Sequence, residues 1–213
     1  MTEVAFLTIS FLSLLLFYFG IGKDKMLLSV FLTWQIIVGI IASFKIFENK
    51  PNLFPLVILG TVLLTFFTLK RINKQKLYTK VLLSVHILRI PVELMLFQLF
   101  LQNKIPNLMT FKGWNLDILI GISALVILLY QLTSKRKINR QFLIVWNIIG
   151  IVFLMFIVSL AILSSPLPIQ QFAFDQPNIG LLEFPYCFLP TCIVPIVLMS
   201  HILLLNEEKK YQH

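Results

Sequence analysis

Seven stretches of the chain are apolar over the length a helix needs to cross a bilayer, about 17 to 25 residues for a hydrocarbon core about 30 Å thick. They are Val4–Gly20, Met26–Phe47, Leu53–Leu69, Leu77–Gln102, Asn115–Thr133, Gln141–Leu163 and Pro185–Leu205, with short polar segments between them. None alternates with the two-residue period of a barrel strand, and hydrocarbon offers backbone groups no partner, so these runs predict helices. The expected fold class is all-α: a polytopic membrane protein of seven transmembrane helices, folded as a single bundle domain over residues 1–213. Met1-Thr2-Glu3 supplies no basic segment ahead of the first run, and no small-residue cleavage site precedes Lys23. That run is therefore read as a retained span and not as a signal peptide.

Composition agrees with the pattern. Of the 213 residues 58% are apolar and 13% charged, which excludes an ordinary soluble domain. Eight glycines, ten prolines and two cysteines exclude a collagen-like, low-complexity or disulfide-dense chain. A formal net charge of +9 would suit nucleic acid, yet no basic helix or interleaved aromatic platform carries it. The expected partner is the lipid bilayer, and nucleic acid is not. Taking loops in turn, one side of the membrane holds Lys23, Lys25, Lys70, Arg71, Lys74, Lys76, Lys135, Arg136, Lys137, Arg140, Lys209 and Lys210. The other side holds only Lys45, Lys50, Lys104 and Lys112. The positive-inside rule then predicts an outside amino terminus and a cytoplasmic carboxyl terminus.

One span carries charges that hydrocarbon should not hold. In the fourth, His86, Arg89 and Glu93 fall within about 60° of one another at 100° per residue, and cover roughly 10 Å of helix near mid-bilayer. A lone charge there costs about 2.5 to 3.5 kcal/mol, so the stripe must face the bundle or a wet cavity. Arg89 and Glu93, spaced i, i+4, are within reach of an ion pair. Pro91 between them removes a backbone donor and displaces the Ile87 carbonyl, predicting a kink at that depth. Asn115 and Asp117 open the fifth span as helix-start residues, and Gln35 and Asn147, beside Trp34 and Trp146, suit interhelical hydrogen bonds. His201 lies about four residues from the inner end of the seventh run, so straight helices would separate it from His86 by about 7 Å and from Glu93 by about 18 Å.

Several chemistries are excluded by what is missing. Spans six and seven hold no lysine for a retinal Schiff base. No HExxH, GxSxG or phosphate-binding glycine loop occurs, and no haem or zinc spacing, so no metal or cofactor is expected. Cys187 and Cys192 fall on different helix faces, too far apart to bridge. The one long loop, Ser164 to Phe184, has three prolines, no Lys or Arg, and Phe172 and Phe174 beside Asp175, which suggests a flap over the bundle mouth.

Several segments together resemble a group of uncharacterised seven-helix integral membrane proteins of Bacteroidetes-type bacteria. They are His86-Ile87-Leu88-Arg89-Ile90-Pro91-Val92-Glu93, the stretch from Pro106 to Asp117, the stretch from Gln170 to Asn178, and Leu189-Pro190 and Val194-Pro195 ahead of His201. The chain departs from that pattern at Lys112 and Trp114, where the resembling proteins tend to carry an acidic and a basic residue. The resemblance implies a bacterial inner membrane and no particular chemistry.

The reading that unites these observations is a protein that handles a lipid or small molecule in an outward-facing polar cavity. His86, Arg89 and Glu93 line it, with Arg89 expected to hold an anionic head group and Glu93 or His86 to move a proton, Asn115, Asp117, Asn147 and His201 adjoin it, and the Asp175 loop covers it. A proton- or ion-coupled transporter using the same stripe, and a non-enzymatic scaffold or sensor in which the ion pair only fixes packing, are the alternatives.

Overall fold

A computed structural model of the chain describes residues 2–134 and 138–210, and among them all regular structure is helical. Six helical stretches of 18 to 24 residues are apolar and long enough to cross a membrane, and Asp117–Thr133 is apolar but shorter, at 17 residues. This is a membrane-type helical bundle. Lys135, Arg136 and Lys137, which enter the charge argument above, lie outside the described residues.

The helices are α1 (Thr2–Gly20), α2 (Lys25–Ser43), α3 (Ile46–Asn49), α4 (Phe54–Arg71), α5 (Thr79–Val85), α6 (Arg89–Leu101), α7 (Asp117–Thr133), α8 (Arg140–Leu163) and α9 (Val194–Lys210). Asp24 starts α2 by accepting from the Met26 and Leu27 N–H groups, the usual use of a short acidic side chain at a helix start. The second expected run is broken at its far end: α2 stops at Ser43, because Lys45 takes a left-handed conformation (φ 57°) that a helix cannot continue through, and α3 follows as a separate turn.

The fourth expected run is likewise two helices. α5 and α6 are joined by a 3₁₀ turn over His86–Leu88, immediately before the stretch that Pro91 denies a normal backbone bond. The seventh is displaced. A π-turn over Leu189–Ile193, containing Pro190, leads into α9, which runs on to Lys210, five residues past the apolar stretch.

α9 is the centre of the bundle, touching α1, α4, α5 and α8, and its span is the most buried of the six. Phe6 of α1 is fully buried, edge-on to Tyr186 with ring centroids 5.3 Å apart. Gly20 lets α1 close on α5, since a Cβ there would meet the Leu82 side chain. α4 is the least enveloped span, packed against α9 and the π-turn with Leu56, Leu59 and Leu63 turned outward.

At one end two irregular segments roof the bundle. Residues 102–116 bury Ile105, Met109 and Thr110. The 164–184 segment is bonded to them, with the Ile179 and Gly180 N–H groups donating to Lys104 O and Gln176 Nε2 donating to Ile105 O. Because the first segment folds inward, α7 begins beneath the roof. At about 25 Å it is roughly 10 Å shorter than α8, and its first residue, Asp117, is buried.

Candidate functional site

The stripe of the fourth span is enclosed by protein: His86 is fully buried, and Arg89 and Glu93 are exposed by only 3% and 2%. The partner of Arg89, however, is not Glu93. Arg89 Nη2 lies 3.6 Å from Asp117 Oδ2 and also donates to the Gly150 carbonyl of α8, at 3.3 Å. Glu93 accepts instead from Asn115 Nδ2 at 2.7 Å, an amide that also donates to Met109 O. The inward start of α7 brings both Asp117 and Asn115 across, and each takes one member of the expected i, i+4 pair. Asn115 precedes the helix, and its Oδ1 accepts the Asp117 N–H.

These groups are only partly satisfied. Arg89 Nε and Nη1, Glu93 Oε2 and Asp117 Oδ1 have no hydrogen-bond partner. Buried polar atoms are nearly always paired, so four unspent atoms in one place call for an explanation.

Beneath them is a second polar cluster. The His86 and His201 rings stack with centroids 3.8 Å apart and planes 29° from parallel, and Trp146 meets both. His201 Nδ1 donates to Asn147 Oδ1 at 2.8 Å, the Asn147 amide being spent on Leu143 O. The separation of about 7 Å expected between the two histidines is therefore corrected. Since α9 continues to Lys210, His201 stands nine residues from its end, level with His86 in the 3₁₀ turn that follows α5. Glu93 lies farther along α6 and does not join this cluster. His86 Nδ1 and Nε2 and His201 Nε2 are unpaired, but the stacked rings cannot both turn a nitrogen to one ion, and among the described residues no group of three or more His, Cys, Asp or Glu could hold a metal.

Arg89, Glu93 and Asp117 form one side of a cavity of about 520 Å³ between α4, α6, α8 and α9, within the range of ligand sites. The rest of its wall is almost wholly apolar, from Leu154 and Ile157 of α8 to Pro190 and Ile193 of the π-turn. Thr61 and Thr65 of α4 also line it, but their hydroxyls donate to Val57 O and Thr61 O. Val62 and Phe66 on α4 and Met155 and Ile162 on α8 line the cavity and are also exposed. The cavity is thus a cleft that opens sideways between α4 and α8 through apolar rims.

Leu167, Ile169 and Leu181 of the roof close its end. Asn178 is buried there, its Nδ2 on Ala161 O and Ser165 Oγ and its Oδ1 unpaired. Asp175 is exposed and is not part of the cleft lining; of its aromatic neighbours Phe172 packs inward against Trp114 while Phe174 is 70% exposed. Gln35 and Thr191 pair twice, Nε2 to Thr191 O and Thr191 Oγ1 to Oε1, joining α2 to the π-turn. Cys187 and Cys192 are free and buried.

Sequence reasoning missed Thr61, Thr65, Asn178 and the π-turn. The threonines had a signal, since Thr61, Thr65 and Thr68 recur at i, i+4 and i+7 in an otherwise apolar run. The π-turn had Pro190, which disrupts helical backbone bonding, whereas Asn178 had no signal, because only packing reveals it.

The chain belongs to a family described as a domain of unknown function (DUF8737), whose sequence model matches residues 52–207. That stretch contains every residue lining the cleft and leaves α1 and α2 outside it. Comparisons with curated proteins and with solved structures return no match.

Proposed function

We propose that the chain is a seven-helix inner-membrane protein, amino terminus outside, that takes up a lipid or small molecule in the cleft between α4, α6, α8 and α9. One observation carries this reading: a space of about 520 Å³ in which nearly everything is apolar except three buried charged residues gathered on one wall. A pair that only fixed packing would need no such space beside it, since protein interiors are otherwise close-packed.

The irregular backbone points the same way. The 3₁₀ turn at His86–Leu88, the π-turn at Leu189–Ile193 and the inward start of α7 all border the cleft or its charged wall. At membrane depth, broken helices are tolerated where they line a cavity, and they are how transporters build their sites. The sideways opening and the roof favour a guest that arrives through lipid. The cavity, expected to be polar, is mostly apolar with one polar wall, and the loop that carries Asp175 closes its end through Leu167, Ile169 and Leu181, with Asp175 itself outside the lining.

A photoreactive lipid whose probe sits on the acyl chain tests the reading in reconstituted bilayers. Labelling of Ile58 and Leu198, which face the cleft, is the expected result. Labels confined to outward positions such as Leu59 and Leu63 would overturn it. In the same vesicles, oriented as in cells, an impermeant amine reagent applied outside should modify Lys112 and spare Lys74; the reverse would invert the topology.

A further inference from the structure

The cleft's charged wall specifies the head group of its guest. We propose that the occupant is an uncharged, chain-bearing amphiphile whose head carries two hydroxyls, of the kind found in a glycerol monoester. This rests on the cleft-binding reading above and names its substrate class.

The argument begins with charge. Two carboxyl groups, Glu93 and Asp117, face one guanidinium, Arg89, and Asp117 already stands against that guanidinium at 3.6 Å. The wall therefore has no surplus positive charge to offer a phosphate, a sulfate or a fatty-acid carboxylate, each of which would meet at least one carboxyl oxygen at close range. An ammonium head would answer the surplus carboxyl but fails on hydrogen bonding, because it has no acceptor for the guanidinium N–H groups that lack a partner.

Counting donors and acceptors narrows the class further. Arg89 Nε and Nη1 are two unspent donor nitrogens, carrying three N–H groups between them, and Glu93 Oε2 and Asp117 Oδ1 are two unspent acceptors. A hydroxyl donates once and accepts twice, so two hydroxyls on adjacent carbons satisfy all four atoms, while one hydroxyl leaves a carboxyl oxygen unpaired. Each atom left unpaired in so dry a place is costly, which turns hydroxyl number into selectivity. The rest of the cleft adds no competing donor: the Thr61 and Thr65 hydroxyls donate within their own helix, and among the described lining residues the other unpaired buried side-chain atom, Asn178 Oδ1 beneath the roof, is again an acceptor. The remaining volume, apolar and continuous with the rims at Val62 and Met155, suits a hydrocarbon chain that trails into the bilayer.

The test compares guests that differ only in head group. The full chain is placed in phosphatidylcholine nanodiscs, each loaded in turn with monooleoylglycerol, oleoyl lysophosphatidic acid or oleylamine, and adducts are counted by native mass spectrometry. One monooleoylglycerol per chain is expected, held at least about tenfold more tightly than either charged probe. Glu93→Met should weaken that binding about tenfold or more. Met155→Trp, a rim change at an exposed position that leaves the charged wall intact, should weaken all uptake, so the proposal stays testable if the Glu93 variant does not fold. Lysophosphatidic acid or oleylamine binding as well as monooleoylglycerol, with Met155→Trp still blocking it, would overturn the head-group assignment and leave the cleft reading standing. No adduct with any of the three would overturn both.

Discussion

Helices α8 and α9 meet differently at their two ends. In the half nearer the start of α8, Gly150 lies so close to the His201 ring that a single added carbon would collide with it, and the ring is fixed on its other side by His86. Toward the far end of α8 the same two helices stand on opposite sides of a cleft of about 520 Å³. The difference is local in origin. A glycine permits the close approach that drives helix association in lipid, where apolar side chains gain nothing by leaving hydrocarbon for one another. At the other end Pro190, Pro195 and the π-turn prevent α9 from keeping a straight, close-packed course. One helix pair thus serves as a clamp at one end and as a wall of the cleft at the other, with Arg89, bonded to Gly150 O, at the boundary.

The largest expected effect comes from breaking that boundary. Asp117→Leu would leave Arg89 buried without its counter-charge and should destabilise the protein by about 3 to 5 kcal/mol, measured by unfolding in mixed detergent micelles. The double change Arg89→Met with Asp117→Leu should recover most of the loss, because a matched pair can be exchanged for apolar residues with little cost. The same double variant should lose guest binding. Stability restored together with full binding would make the pair a packing device and would remove the distinction between the two ends.

A smaller effect separates clamp from wall directly. Gly150→Ala adds one carbon where the His201 ring cannot yield without disturbing His86 and Asn147, and should cost about 1 to 3 kcal/mol. Val62→Phe adds more volume on the cleft rim, where there is room, and should stay within about 0.5 kcal/mol. Equal losses at the two positions would mean that the cleft closes in the bilayer.

How far the sequence disclosed this arrangement depended on whether a feature was internal to one helix. Span length and the grouping of His86, Arg89 and Glu93 on one face follow from a single helix's own period, as does the break ahead of Pro91. What each of those side chains meets does not. A helical wheel placed Glu93 next to Arg89, but the bundle gave Arg89 to Asp117 and Glu93 to Asn115, because the 102–116 segment folds inward instead of crossing outside the membrane. The level of His201 was misjudged for a related reason: Asn206 and the charged residues after it read as a helix end, yet α9 continues through them. The cleft itself has no single-residue signature, since it is the space that four helices fail to fill.

The smallest predicted effect concerns the roof over the wall end. Lys104 Nζ bonds Glu183 Oε2, and the Lys104 carbonyl holds the Ile179 and Gly180 N–H groups, so one residue fastens the 164–184 segment through both side chain and backbone. Partial burial lowers the affinity of the ammonium for its proton, but the hydrogen bond and charge of Glu183 outweigh it and raise the pKa above the usual 10.5. A group whose folded pKa is raised stabilises fully below its unfolded value and loses that contribution as pH climbs through the folded one. The side-chain tie is therefore constant through neutral pH and weakens only above about pH 10.5. Because both side chains remain partly in solvent, its worth is below about 1 kcal/mol. Lys104→Met keeps the carbonyl bonds and should leave overall stability nearly unchanged while raising hydrogen exchange at Gln176 and Glu183. At neutral pH the variant should match the wild-type protein measured above the raised folded pKa of Lys104, after correction for the intrinsic pH dependence of exchange. If exchange in the roof is the same with and without the ammonium, the backbone bonds alone hold it, and the side-chain pair has no part in closing the cleft.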